Sequence, residues 1–234
     1  MAFKMSSGLR SSLMGAQDTT GAVATLAFTV TTNVITTSAQ NFLTLGFRPG
    51  DTITISGSAS NDMVTTIASV ASDGLTMVVD GDLATEAQGA TVTITACAKT
   101  FKDVFRNNVI RVYSGTVPAD ADTDEGAGTL LLEISKSSGV VTPGTSTNGN
   151  NFDAIAAGVL SKDANVWSDV GLATGTAAWY RMYDNGRITG ASSTAKRCDG
   201  NVAVSGTTFI LSGTSIKLGA TTTLDTATFT MPAS

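Results

Sequence analysis

The chain contains no histidine. That absence removes Ser-His-Asp and Cys-His nucleophilic systems, the common zinc sites and the usual general base near neutral pH. Charge is also scarce. Asp, Glu, Lys and Arg make up 14% of the residues, where soluble domains carry roughly 25%. The balance is acidic, with a net charge of -5, and the nearest thing to a basic stripe is Lys196-Arg197, two residues in a loop. A nucleic-acid partner would demand more positive charge than that, so none is expected. Cys97 and Cys198 are far apart and lack metal-ligand spacing. They read as free thiols of a reducing compartment, with a bridge as the alternative. No run of about 20 apolar residues could span a bilayer, so no membrane partner is expected. The opening MAFKMSSGLRSSLMGAQ has no apolar core of a signal peptide, which points to synthesis in the cytoplasm.

What remains is apolar and small. Hydrophobic residues reach 42%, enough for a real core, and Gly, Ala, Ser and Thr fill the space that charge leaves. Disorder needs low hydrophobicity and high charge, so this composition argues for order. It suits many short strands joined by tight turns, and a surface partly covered by neighbouring subunits.

Residues 1–18 hold the best helix candidate, with Ser6 or Ser7 as cap and Leu9, Leu13 and Met14 on one face. A helix this short is marginal alone and must dock, either on its own sheet or on a neighbour. Residues 19–100 read as a small β-barrel module of about six short strands. In Thr52–Gly57 the isoleucines face one way and the threonines the other; Met63–Val70 follows, and Asp73-Gly74 makes a hairpin turn into Leu75–Val79. Residues 101–234 carry longer strands. Val109–Ser114 and Thr129–Ile134 flank an acidic loop. Thr176–Tyr183 alternates, with Trp179, Arg181 and Tyr183 on one face. Short strands end the chain, and their spacing suits a β-sandwich or jelly roll. The expected fold is therefore all-β: a sandwich-like domain at 101–234, an inserted barrel module at 19–100 and a short N-terminal helix.

The candidate chemistry is thin. Asp120, Asp122 and Asp124 match positions 1, 3 and 5 of a calcium loop, but Glu125 stands where glycine is needed and Leu131 where the final glutamate belongs. A solvated acidic loop is the expectation. Trp167, Trp179, Tyr180 and Tyr183 could form a sugar platform, yet large aromatics in a β-protein usually pack inside. Arg181 and Arg187 should pair with carboxylates or contact a neighbour. No catalytic, cofactor-binding or metal-binding residue is assigned, and no enzyme activity is expected.

Two stretches nevertheless bring a family into view. Asn108–Asp122 (NVIRVYSGTVPADAD) followed by Gly128-Thr129-Leu130-Leu131, with Asn151-Phe152-Asp153, Trp179-Tyr180-Arg181 and the terminal Phe229–Ala233, resembles a group of tailed-bacteriophage virion proteins. The likeness covers about 1–18 and 101–234. Gly46–Gly57 with Asn61-Asp62 is similar to small β-barrel modules carried by phage tail and head proteins, inserted here where the family often has only a short link. The resemblance implies a structural virion protein that decorates or stabilises the capsid or neck as a homo-oligomer. Its partners would be capsid, portal, neck or tail subunits, and its location the virion. The alternative it leaves open is a tail, collar or fibre component with a receptor- or glycan-binding surface. A carbohydrate-active enzyme is a third, more distant reading, carried by a carboxylate pair.

Overall fold

The computed structural model describes residues 3–230; positions 231–233 of the terminal Phe-Thr-Met-Pro-Ala motif lie outside them. The all-β class holds, with three short helices among the described residues. The chain divides into two compact units. One comprises the N-terminal segment as far as Ser11, Val104–Val141 and Thr147 onward; the other comprises Ser12–Asp103 and Thr142–Ser146. The seams thus fall at Ser11/Ser12 and Asp103/Val104, where 18/19 and 100/101 were expected.

The N-terminal segment contributes β1 (Lys4–Met5) and α1 (Ser7–Leu13). The inserted unit then runs β2 (Leu26–Thr29), β3 (Val34–Thr37), α2 (Phe42–Leu45), β4 (Thr52–Ser56), β5 (Met63–Val70), β6 (Thr76–Val79) and β7 (Thr93–Ala96). These strands form one antiparallel sheet in the order β2-β3-β6-β5-β4-β7. The sheet curls, and isolated bridges Thr19–Thr95, Val23–Val92 and Phe28–Glu86 stitch its two edges. Period-2 alternation places Ile53 and Ile55 in the core and the threonines of β4 outside. Phe28, Ile35, Phe42, Phe47, Ile67 and Met77 are among the other buried members of that core.

Where the chain enters and leaves this unit it is clasped. Lys99 Nζ lies 2.9 Å from Asp18 and 2.6 Å from Asp51, and donates to the Gly46 carbonyl at 2.9 Å. Gly46 ends α2 with φ of 102°, and a Cβ there would sit 2.3 Å from an Asp18 carboxylate oxygen. Both the backbone angle and the space require glycine.

The larger unit contains α3 (Phe101–Val104, of which Val104 belongs to it), β8 (Val109–Tyr113), β9 (Leu130–Lys136), β10 (Val159–Ser161), β11 (Trp167–Val170), β12 (Gly175–Thr176), β13 (Trp179–Tyr183), β14 (Arg197–Ala203), β15 (Phe209–Leu211), β16 (Ser215–Ile216) and β17 (Thr221–Thr230). The acidic-loop hairpin forms as expected, with β8 antiparallel to β9. Beyond it, the sandwich expectation changes shape: the sheet closes on itself. Its path β14-β13-β8-β9-β11-β17 is joined back by β15, which pairs with both β17 and β14, making a seven-stranded barrel. All of these pairings are antiparallel except β14 with β15. A barrel is a two-layered core whose layers share strands, so the inward-outward alternation read from sequence survives the change. Ile110, Val112, Leu132, Ile134, Tyr180, Met182 and Leu224 are buried on the inner face.

Two further expectations shift. Lys196-Arg197, read as two loop residues, is only half so: Arg197 opens β14, and Lys196 and Arg197 are both buried. The N-terminal helix docks on its own sheet, the first of the two placements expected, although not with the whole of the expected face. β1 pairs with β14, Ser6 Oγ donates to the Ala195 carbonyl at 2.7 Å, and Leu9 is fully buried. Leu13 and Met14, read as part of the same apolar face, are exposed.

Candidate functional site

The outer face of the barrel carries a charged row. Cross-strand register aligns Lys4, Asp199, Arg181, Arg111 and Glu133 on β1, β14, β13, β8 and β9. Arg181 and Arg111 face one another directly, which alone would be repulsive. Each turns to a flanking carboxylate instead. Arg181 bonds Asp199 through two parallel 2.7 Å contacts, and both side chains are fully buried. Arg111 bonds Glu133 at 2.8 Å, and Arg187 reaches the other Glu133 oxygen at 2.5 Å. Aromatic rings flank the row: Tyr113 stacks on Trp179 with centroids 4.4 Å apart, and the Arg181 guanidinium lies 5.8 Å from the Trp179 ring centre.

The acidic loop folds over this row and is gripped by arginine. All five N–H donors of Arg197 are taken by backbone carbonyls: Nε by Ala121, Nη1 by Ile188 and Gly190, Nη2 by Asp122 and Thr123. Arg181 Nη1 adds a 2.8 Å bond to Thr123 O. Burial, then the nearby Arg181 charge, hold the Arg197 guanidinium below its ordinary value. Burial works in the same direction on Arg181, but the Asp199 carboxylate outweighs it and the net shift is upward.

The loop's carboxylates do not converge. Asp120 accepts from the Asp122 and Thr123 amides, an Asx turn. Asp122 accepts from the Ser7 amide at 2.8 Å and the Ser7 hydroxyl at 2.5 Å, tying the start of α1. Asp124 accepts from Gly126 N. Glu125 accepts from the Tyr183 hydroxyl and from Gly190 N. Burial would raise the Glu125 carboxyl, but the Tyr183 hydroxyl, the backbone donors and Arg181 together hold it below its ordinary value. Burial raises the Tyr183 phenol well beyond its usual range, and the neighbouring Tyr113 and Glu125 add to the effect. Among the described residues no group of three or more Cys, Asp or Glu side chains is arranged to hold a metal ion.

The aromatic quartet is in the core. Trp167, Trp179, Tyr180 and Tyr183 are each at most 1% exposed, so their ring faces form no exposed stacking platform. Cys97 is exposed and Cys198 buried, and they are not bonded. Sequence reasoning found Arg181 and its alternation but missed Asp199 and Arg197. The only available signal was the Arg-Cys-Asp spacing at 197–199, which puts Arg197 and Asp199 on one face if the stretch is a strand. The Gly200-Asn201 that follows reads instead as a turn. The arrangement fastens loops to a barrel; each charged group described is bound into the chain's own framework. No protein-family model matches this chain, and neither a curated protein nor a solved structure shows significant similarity to it.

Proposed function

We propose that this protein is a structural component of a tailed-phage virion that decorates or stabilises the capsid or neck through subunit-subunit contacts, as a homo-oligomer. The observation that carries this reading is the use of its polar groups. Arg111, Arg181, Arg187, Arg197 and the carboxylates of the acidic loop, residues from which an active or receptor site could be built, bind internal partners and stiffen the barrel. The exposed positions include the apolar Met14, Val64, Val140, Ile155, Val204 and Leu218, each more than half exposed. Scattered apolar side chains on a weakly charged surface favour association. The receptor-binding alternative drew on exposed aromatics between Trp167 and Tyr183, and these are buried.

The test is peptide mass spectrometry of purified particles from the phage that encodes the chain. The expected result is a fixed copy number per particle that survives salt washing. Absence from intact particles would overturn the reading. Light scattering of the isolated protein tests the homo-oligomer, and a monomer at high micromolar concentration would remove that part.

A further inference from the structure

The outer edge of β14 changes partner along its length. β1 pairs with it as far as Asp199, and β15 takes over from Val202. Gly200 and Asn201 lie in the interval, and there a cavity of about 270 Å³ opens, lined by Phe3, Tyr180, Gly200, Asn201 and the 206–208 loop. Tyr180 is 1% exposed, and its ring stacks on Phe209 with centroids 3.9 Å apart. The hydroxyl comes to rest against Gly200: a Cβ on that glycine would lie 2.7 Å from the phenol oxygen. That oxygen has no hydrogen-bond partner among the described residues. A buried hydroxyl left without a partner is unfavourable, because it has given up its bonds to water for none in the protein.

We propose that this pocket binds a neutral, hydroxyl-bearing ring of about one sugar unit. The charge follows from the lining, which among the described residues has no ionisable side chain apart from the Tyr180 phenol, and burial drives that phenol well above its ordinary value, so it stays neutral. The polarity follows from the Tyr180 hydroxyl, the Asn201 amide and the Thr207 and Thr208 hydroxyls. The Thr207 hydroxyl already donates to the Phe209 carbonyl at 2.7 Å, so its oxygen is set to accept. The Phe3 ring supplies an apolar wall for the C–H face of such a ring. The volume lies just under the roughly 300 Å³ at which drug-sized sites begin, which admits one ring and excludes a chain. This inference stands apart from the virion reading and does not depend on it.

The experiment is titration of the full chain with glucose, galactose, N-acetylglucosamine and glycerol, followed by amide NMR shifts of Gly200, Asn201 and Thr208. The expected result is saturable shifts with at least one sugar, a weaker response to glycerol, and at least a tenfold loss of affinity in Tyr180→Phe. Thermal melting of Tyr180→Phe is the control. The variant should melt no lower than wild type without sugar, since it only removes an unpartnered hydroxyl, and should lose the sugar-induced rise. No saturable shift at tens of millimolar with any panel member would overturn the proposal, as would undiminished binding by a folded Tyr180→Phe.

Discussion

Single side chains carry much of the larger unit's specification, and Arg181 is the clearest case. Its bidentate partner Asp199 is fully buried, so truncating the arginine leaves an uncompensated charge. Arg181→Met is expected to cost about 3–5 kcal/mol in urea unfolding, while Arg181→Met with Asp199→Leu should recover most of that loss. Equal destabilisation by the single and double variants would show that the pair is not the operative contact. Glu125 gives a pH dependence of defined sign. Its folded-state value lies below the ordinary one, so its contribution is complete above the ordinary glutamate range. That contribution is lost as pH falls through the folded value. Between about pH 6 and pH 3, Glu125→Gln should therefore lose less melting temperature than wild type. A parallel acid limb in the two proteins would refute the assignment. Neither pairing could be read from the chain alone, because Arg181 and Asp199 are brought together by register, and register depends on which strands become neighbours.

At the scale of elements, the N-terminal segment is the informative case. Replacing glycine by alanine inside a helix normally helps by about 1 kcal/mol. In α1 the sign should reverse, because a Cβ on Gly8 would lie 2.2 Å from the Thr194 carbonyl oxygen. Gly8→Ala is expected to destabilise by about 1–3 kcal/mol in denaturant unfolding, and a neutral result would mean that the helix does not dock there. Strands with strong local signals were legible in the sequence. Met63–Val70 matches β5 to the residue, and Val109–Ser114 and Thr129–Ile134 correspond closely to β8 and β9. β14 was not legible over its first half, because Arg197-Cys-Asp-Gly-Asn has the composition of a loop and becomes a strand only through pairing with β13 and β1. Phe152–Lys162 has a composition that permits a helical turn, weakened by Gly158, yet Val159–Ser161 is drawn into a strand by β17.

For the whole molecule, two compact units in one chain predict that unfolding departs from a single transition. Calorimetry should resolve two components. Lys99→Met strips Asp51 and Asp18 of their ammonium partner, and it should lower one component by roughly 10 °C while leaving the other nearly unmoved. A uniform shift of one cooperative peak would show that the units unfold together. The all-β class and the presence of an inserted unit were readable from composition and turn spacing. Closure of the barrel was not: Thr208–Leu211 reads as a short strand, but closure depends on that strand, β15, pairing on both sides, and the partners of a three-residue strand are not written in its own residues. That closure also has a temporal side. β17 is paired in succession with β11, β15 and β10, so its ten residues complete the ring. On a ribosome adding about 5–20 residues per second, β8, the first strand of the ring, waits about 6–24 seconds for this last one. Ser12–Asp103, by contrast, emerges as nearly the whole of its own unit well before then. The newborn chain thus carries a nearly complete module while the seven strands of the ring, all of which follow it in the chain, are still being made, and that interval is when their unpaired edges are most exposed to other chains.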